Sequence, residues 1–376
     1  MTTRVGVAGV AGMGLMHVFT VPKIEGYELT AICDVVPESL ERAGGGAPDA
    51  KRFTDFDELC GSGVVDAVVI ATPNDMHSEN VGRALDAGLH IYCEKPLGVT
   101  VGECRAIADR ARAARRRVQI GFQHRFQHGY ASAKRIVDGG GIGPLRRADL
   151  RATDWFRPNN YFALRPWRAR WQHAGGGVLM LQAIHQLDSF LWIAGMPSRV
   201  TAKAWRGRPD VEVEDDVSAI LEFPSGARGV LTASTLDPGG TNRLEITGDQ
   251  GAVRAEGERL RIGRWDEATS KMLRERTNPF EAVPVAWENV EPTGDALTFD
   301  ECVTACHRDF ADAIESNREP LNNADEATKS VEVANAVYLS ALTGEPIELP
   351  LDAERYDSAF RQLCSGDLKL PAVASI

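Results

Sequence analysis

No apolar run in the 376-residue chain approaches the ~20 residues that a membrane-spanning helix requires, so no such helix is expected. Basic residues are short as well: 42 Lys and Arg stand against 53 Asp and Glu, a formal net charge of −11. That balance repels nucleic acid and anionic membrane surfaces at long range and leaves a small molecule as the expected partner. A disulfide framework is also missing. The seven cysteines, Cys33, Cys60, Cys93, Cys104, Cys302, Cys306 and Cys364, are odd in number and irregular in spacing, which reads as reduced thiols. Cys302, Cys306 and His307 lack a fourth ligand and a second pair, so no metal is expected. The opening Met1-Thr2-Thr3-Arg4 carries no signal-peptide pattern, and a cytoplasmic location is the expectation.

What the chain does contain is enough apolar and charged residues, 43% and 25%, for globular folding, in a length that predicts two domains. Residues 4–9 alternate short apolar side chains and break at Gly9-Val10-Ala11-Gly12-Met13-Gly14, after which a helix can begin. This is the strand–turn–helix setting of a dinucleotide fingerprint, with Ala11 in place of its second glycine. The next strand, 27–33, ends at Asp34, where the fingerprint places an acid for the ribose 2′-hydroxyl. A carboxylate there repels a 2′-phosphate, so NAD is expected over NADP.

Residues 64–71 form a continuous apolar run of the kind a strand buried on both faces shows. The run 89–94 ends in Lys95-Pro96, and proline cannot extend a ladder. Lys95 is thereby placed at a strand's carboxyl end, beside which open α/β sheets bind ligands. Helical stretches at 78–87 and 101–114 complete an alternation of strand and helix about every twenty-five residues, the pattern of a doubly wound parallel sheet.

The glycine turn, Ala71-Thr72-Pro73-Asn74 with His77, Glu94-Lys95-Pro96, and Gly121-Phe122 with Arg125-Phe126 stand in the order and at the intervals of the Gfo/Idh/MocA oxidoreductases, which the chain resembles. The resemblance implies that Lys95 is catalytic, beside nicotinamide and the reacting hydroxyl, and that its peptide to Pro96 is often cis. It makes Gly9, Ala11, Gly12, Met13, Gly14, Asp34, Thr72, Asn74, His77, Glu94 and Gln123 cofactor neighbours. The domain division expected is 1–124, a Rossmann domain, and 125–376, an α+β domain with a large, mostly antiparallel open sheet.

Beyond Phe126 a helical stretch at 130–138 gives way to strand candidates at 147–156, 199–205, 217–223, 229–235 and 244–246, with hairpin signals such as Pro224-Ser225-Gly226. Relatives cover one face of such a sheet with a second subunit, so a homodimer or homotetramer is implied. Between the first two candidates, Gly175-Gly176-Gly177 opens a helix predicted to run to Ala194, almost wholly apolar apart from a stripe of Gln182, His185, Asp188 and Ser189. The family's pattern here is an acid one turn before a histidine. His185 matches it, but Leu181 occupies the acid's place and can make no side-chain hydrogen bond. His185 is expected to point toward Lys95, with Asp188 or a backbone carbonyl to orient it. Upstream, Trp155, Arg157, Tyr161, Trp167 and Arg168 supply aromatic faces and planar donors suited to a sugar or cyclitol. Trp167 and Arg168 correspond to a pair that in relatives borders nicotinamide and substrate.

The function expected is oxidation of a secondary hydroxyl of a sugar, glycoside or cyclitol, or its reverse, by hydride transfer to NAD, with the proton leaving to His185 or Lys95. Lys95, Arg125, Trp155, Tyr161, Arg168, Leu181, Gln182 and His185 are the expected substrate neighbours. Two alternatives are a glycoside-cleaving enzyme of the same fold, which would release free sugar without net NADH, and a non-catalytic NAD-binding regulator.

Overall fold

Six strands of the amino-terminal half pair in parallel: β1 (Thr3–Ala8), β2 (Tyr27–Cys33), β3 (Lys51–Phe53), β4 (Ala67–Ile70), β5 (His90–Cys93) and β6 (Val118–Ile120), in the order β3-β2-β1-β4-β5-β6. The chain is seen in a computed structural model that describes residues 2–291 and 297–372. Central strands are buried on both faces, Val5, Val7, Val68, Val69, Ile70 and Ile91 among them, which is why they read as unbroken apolar runs. Each is followed by a helix, and Val101–Ala114 begins at the full capping box made by Thr100 and Glu103. The strand order reverses between β1 and β4, so the carboxyl ends of these strands and of β5 border the switch point.

The chain clusters into two compact units: Met1–Gln123 with Gln172–Gly175 and Thr298–Glu332, and His124–Trp171 with Gly176–Leu297 and Val333–Ile376. A linear division near residue 124 therefore leaves out two segments that join the first unit. The reason for one of them lies at the sheet edge. β6 would present unpaired backbone groups, and Asn322 and Asn323 cover them: Ile120 N–H donates to Asn322 O, and Asn322 Nδ2 donates to Phe122 O.

The second unit is built on a nine-stranded sheet. Its strands are β7 (Leu145–Ala152), β8 (Arg199–Trp205), β9 (Asp216–Glu222), β10 (Arg228–Ser234), β11 (Asn242–Gly248), β12 (Gly251–Glu256), β13 (Arg259–Arg264), β14 (Ala286–Val290) and β15 (Ile347–Glu348). They lie in the order β14-β13-β12-β11-β7-β10-β9-β8-β15, antiparallel except for β7 against β10. Sequence patterning misses β12 to β15, whose burial is less regular or whose length is only two residues. Alternation is cleanest in β8 and β9, where Val200, Ala202, Ala204, Val217, Ala219 and Leu221 face inward. The single helix expected from Val178 is in fact two, Val178–Leu181 and Ile184–Ala194. Ala183 N–H reaches back to Val178 O, five residues away, so the turn holding Gln182 is one residue wide of an α-helical turn.

Candidate functional site

At the end of β1 the backbone turns at Gly9, whose φ is +80° and whose missing Cβ would stand 2.7 Å from Ala71 O. Gly14 lies still closer to the same turn, since a Cβ there would meet Gly9 O at 1.6 Å. Both positions must be glycine for the helix Met13–Thr20 to start against the sheet. Gly12, also at positive φ, faces open space, with Ala11 and Met13 half-exposed beside it. The turn thus offers backbone to a ligand at Gly12 rather than at Ala11. Asp34 closes this side: its carboxylate accepts from Val10 N–H and from Val36 N–H, each at 2.9 Å. An open glycine turn with an anchored acid at the next strand's end fits the pyrophosphate and ribose of a dinucleotide.

The ends of β4 and β5 are tied together by His77. Its Nδ1 lies 2.6 Å from Pro96 O and its Nε2 2.8 Å from Thr72 O. Burial pushes the His77 pKa down although both carbonyl groups pull the other way. Asn80 Nδ2 donates to the Thr72 hydroxyl, and Asn74 Nδ2 donates to Ala174 O, fixing this turn from both sides. The Lys95–Pro96 peptide is cis, and Lys95 is half-buried at the end of β5. Gln123 is buried in the turn that follows β6.

Glu94 anchors a buried polar chain. Its Oε1 accepts from His17 Nε2 at 3.0 Å, His17 Nδ1 is 2.9 Å from His307 Nε2, and the His307 ring stacks on Tyr92 at 4.2 Å. With Glu94 fixing the His17 tautomer, Nδ1 of His17 is the acceptor and His307 donates to it. Burial alone would push the Glu94 carboxyl up, but the His17 bond and the nearby Lys95 and His77 hold it below the usual range. Burial and the neighbouring His17 push the His307 pKa well down. Sequence reasoning missed both histidines of this polar chain, His17 on Glu94 and His307 on His17. The one available signal was a histidine, His17, placed inside an apolar helix.

In the second unit, Gln182, from the widened turn, donates its Nε2 hydrogen to the Tyr161 hydroxyl at 2.8 Å. Leu181 is half-exposed next to it, while His185 is buried and stacks on His124 at 4.6 Å between ring centroids. Arg125 is almost wholly buried and bidentate on Asp188, with Nε and Nη2 each 2.7 Å from a carboxylate oxygen, and lies 5.2 Å from the Trp192 ring. Ser189 of the polar stripe read from the sequence, and Gln186 beside it, are fully buried with no hydrogen-bond partner on their side-chain polar atoms among the described residues. Trp155, Tyr161, Trp167 and Arg168 lie together, half-buried, on short helices and loops after β7. Glu214 holds the start of the helix Val178–Leu181 by accepting from Gly177 N–H at 2.6 Å, Leu179 N–H at 3.0 Å and the Tyr338 hydroxyl at 2.8 Å. Gly177 must be glycine, because a Cβ would meet Glu214 O at 1.8 Å.

Comparison with known proteins agrees with this geometry. Residues 3–122 match the oxidoreductase family with an NAD-binding Rossmann fold, and residues 130–254 match the GFO/IDH/MocA C-terminal domain. An inositol 2-dehydrogenase of Rhizobium meliloti (strain 1021) is 29% identical over 265 residues, 69% of this chain and 77% of that protein. A scyllo-inositol 2-dehydrogenase (NAD(+)) of Bacillus subtilis (strain 168) is 27% identical over 357 residues, 92% of this chain and 96% of that one. Among solved structures, the WlbA dehydrogenase from Bordetella pertussis, in complex with NADH and UDP-GlcNAcA, superposes with a TM-score of 0.77 at 25% identity, covering 94% of this chain and 100% of that one. The aldose-aldose oxidoreductase from Caulobacter crescentus, complexed with glycerol, gives 0.77 at 26% identity over 93% and 100%. With the glycine turn, the anchored Asp34 and the cis Lys95–Pro96 in place, the chain belongs to the GFO/IDH/MocA family of NAD-binding oxidoreductases.

Proposed function

We propose that this enzyme oxidises a secondary hydroxyl of a sugar, glycoside or cyclitol, or runs the reverse reduction. The observation that supports it best is the setting of Lys95, at the end of β5, between the buried Glu94 and the His77-tethered Pro96. Relatives that act on inositols and aldoses agree with this substrate class. NAD, when bound, accepts or returns the hydride. The residues suited to hold it are Gly9, Ala11, Gly12, Met13 and Gly14 at the pyrophosphate, Asp34 at the ribose, and Thr72, Asn74, His77, Glu94, Gln123, Trp167 and Arg168 nearer the nicotinamide.

The ionised Glu94 keeps a compensating negative charge next to the Lys95 ammonium. We therefore assign Lys95 to stabilise the developing alkoxide and His185, whose imidazole can act as a general base, to take the proton. Arg125 is committed to Asp188 and is assigned to hold the helix that carries His185 rather than to read the substrate. Trp155, Tyr161, Arg168, Leu181 and Gln182 are assigned to the substrate's other groups. A homo-oligomer formed through the outer face of the nine-stranded sheet completes the reading, supported by Ile220 and Val230, which pair across β9 and β10 and remain exposed.

The test is NADH formation across monosaccharides, glycosides and inositols, with NAD binding followed separately by fluorescence. Lys95→Met and His185→Ala should each lower turnover by about 10²-fold or more while NAD binding survives. In the double variant the loss should fall well short of the product of the two, as for groups acting on one proton transfer. Unchanged turnover in Lys95→Met would refute the proposal.

A further inference from the structure

In a chain short of basic residues, Arg157 and Arg168 are set beside one aromatic ring. The guanidinium carbon of Arg168 lies 4.2 Å from the Tyr161 ring centroid and that of Arg157 lies 5.2 Å from it. Arg157 also sits 5.3 Å from the Trp155 ring. Two other arginines near the cluster are neutralised, Arg170 by Glu212 and Arg208 by the buried Asp215. Arg157 and Arg168 form no ion pair with any carboxylate among the described residues. Their own side-chain hydrogen bonds go to backbone carbonyls, Arg157 Nη1 to Phe156 O at 3.0 Å and Arg168 Nη1 to Tyr161 O at 3.5 Å.

Two further donors in the same cluster, Arg157 Nε and the Trp155 indole N–H, are buried without an acceptor among the described residues. The acid of the family pattern one turn before His185 is replaced in this chain by Leu181, which brings no charge of its own. Burial and the charges of Arg165 and Arg157 push Arg168 below its ordinary pKa, against a pull from Tyr161. Like charges and orphaned donors, with Asp154 acting on Arg157 electrostatically but not in an ion pair, form a site complementary to an anion rich in acceptors. The Gln182 bond to the Tyr161 hydroxyl fixes this cluster to the widened turn three residues before His185.

The geometry points to an anion clamp in which Arg157 and Arg168, braced on Tyr161, bind a carboxylate or phosphate substituent of the substrate, so that the polyol oxidised is an acidic one. This rests on the dehydrogenase reading above. The probes are matched sets: gluconate and glucuronate, glucose 6-phosphate, and neutral glucose and myo-inositol. NADH formation and calorimetric binding to the NAD-loaded enzyme are both measured.

The kcat/KM for an acidic member should exceed that of its neutral counterpart by about ten- to a hundredfold, the scale of charge-assisted hydrogen bonds. Preference among the acids separates carboxylate from phosphate. The KM of the acid should rise with salt while that of the neutral compound stays level. Arg157→Gln should reduce the acid-to-neutral ratio about tenfold, Arg157→Lys less so, with NAD affinity measured alongside. Equal or better use of neutral substrates, equal losses on both kinds, or a change confined to NAD affinity would each overturn the clamp. If no compound yields NADH, yet the acids alone bind and lose binding in Arg157→Gln, the clamp stands and the dehydrogenase reading falls. If neutral compounds alone yield NADH, the dehydrogenase reading stands and the clamp falls. Substrate preference and salt dependence are read on the unaltered enzyme, so the test does not depend on a variant folding.

Discussion

Asp34 owes its orientation to the two N–H groups that it accepts, from Val10 in the glycine turn and from Val36 just beyond the strand. Its carboxylate is thus fixed where a ribose would lie, and a 2′-phosphate would meet a like charge. Two such charges ~4 Å apart cost ~1 kcal/mol in water and several in a less polar site. The enzyme should bind NAD at least about tenfold more tightly than NADP, and Asp34→Asn should narrow that gap. Fluorescence titration of both cofactors checks this, and equal affinity for the two would count against the role given to Asp34. Elsewhere single residues are held as firmly. His77 links two strand ends and His17 links Glu94 to His307, so Lys95 stands on a scaffold of buried polar bonds rather than on a free loop.

Among the elements, the short helix Val178–Leu181 depends most on a distant residue. Glu214 caps it through two N–H groups, yet burial pushes the Glu214 carboxyl up to about 7, against those bonds and the one from Tyr338. A carboxyl raised from 4.5 in this way favours the protonated form in the folded state. Below 4.5 folded and unfolded chains are both protonated, and the stabilisation is complete; it is lost as pH rises from 4.5 to about 7. The loss is about 3 kcal/mol at most. Glu214→Gln keeps an acceptor and removes the titration, so its melting temperature relative to the unaltered enzyme should climb across that pH range. Parallel melting curves would show that Glu214 does not titrate there. The wide turn at Gln182 that follows this helix aims one side chain at Tyr161 and starts the next helix at Ile184, which places His185 in its first turn.

For the molecule as a whole, the nine-stranded sheet poses the main physical question. Its inner face is covered, whereas the outer face carries Ile220 opposite Val230, 54% and 38% exposed, among charged side chains such as Arg199, Lys203 and Arg228. Burying such a side chain in a subunit interface contributes roughly 1.5–3 kcal/mol. Replacing both with lysine should therefore weaken self-association about a hundredfold or more, read by light scattering over a concentration series. A monomeric parent enzyme would remove the basis for that expectation.

Local sequence determined a good deal by itself. Unbroken apolar runs, glycine breaks and a proline stop located β1, β2, β4 and β5, and with them the places of Gly9, Asp34 and Lys95, because these strands are buried on both faces, whereas the short, exposed β3 carries no such pattern. Strict alternation located β8, β9 and β10 for the same reason on one face. Tertiary structure alone decided what those residues touch. His307 reaches Glu94 through His17 across 290 residues of chain, Asp188 is taken by Arg125, and residues 298–332 join the first unit. It also broke the helix at Gln182, where a hydrogen bond to Tyr161 and a cap from Glu214 outweigh a propensity that favoured one continuous helix. Periodicity encodes which face is buried. Pairing between polar groups distant in sequence follows only once the backbone has brought them within hydrogen-bond reach.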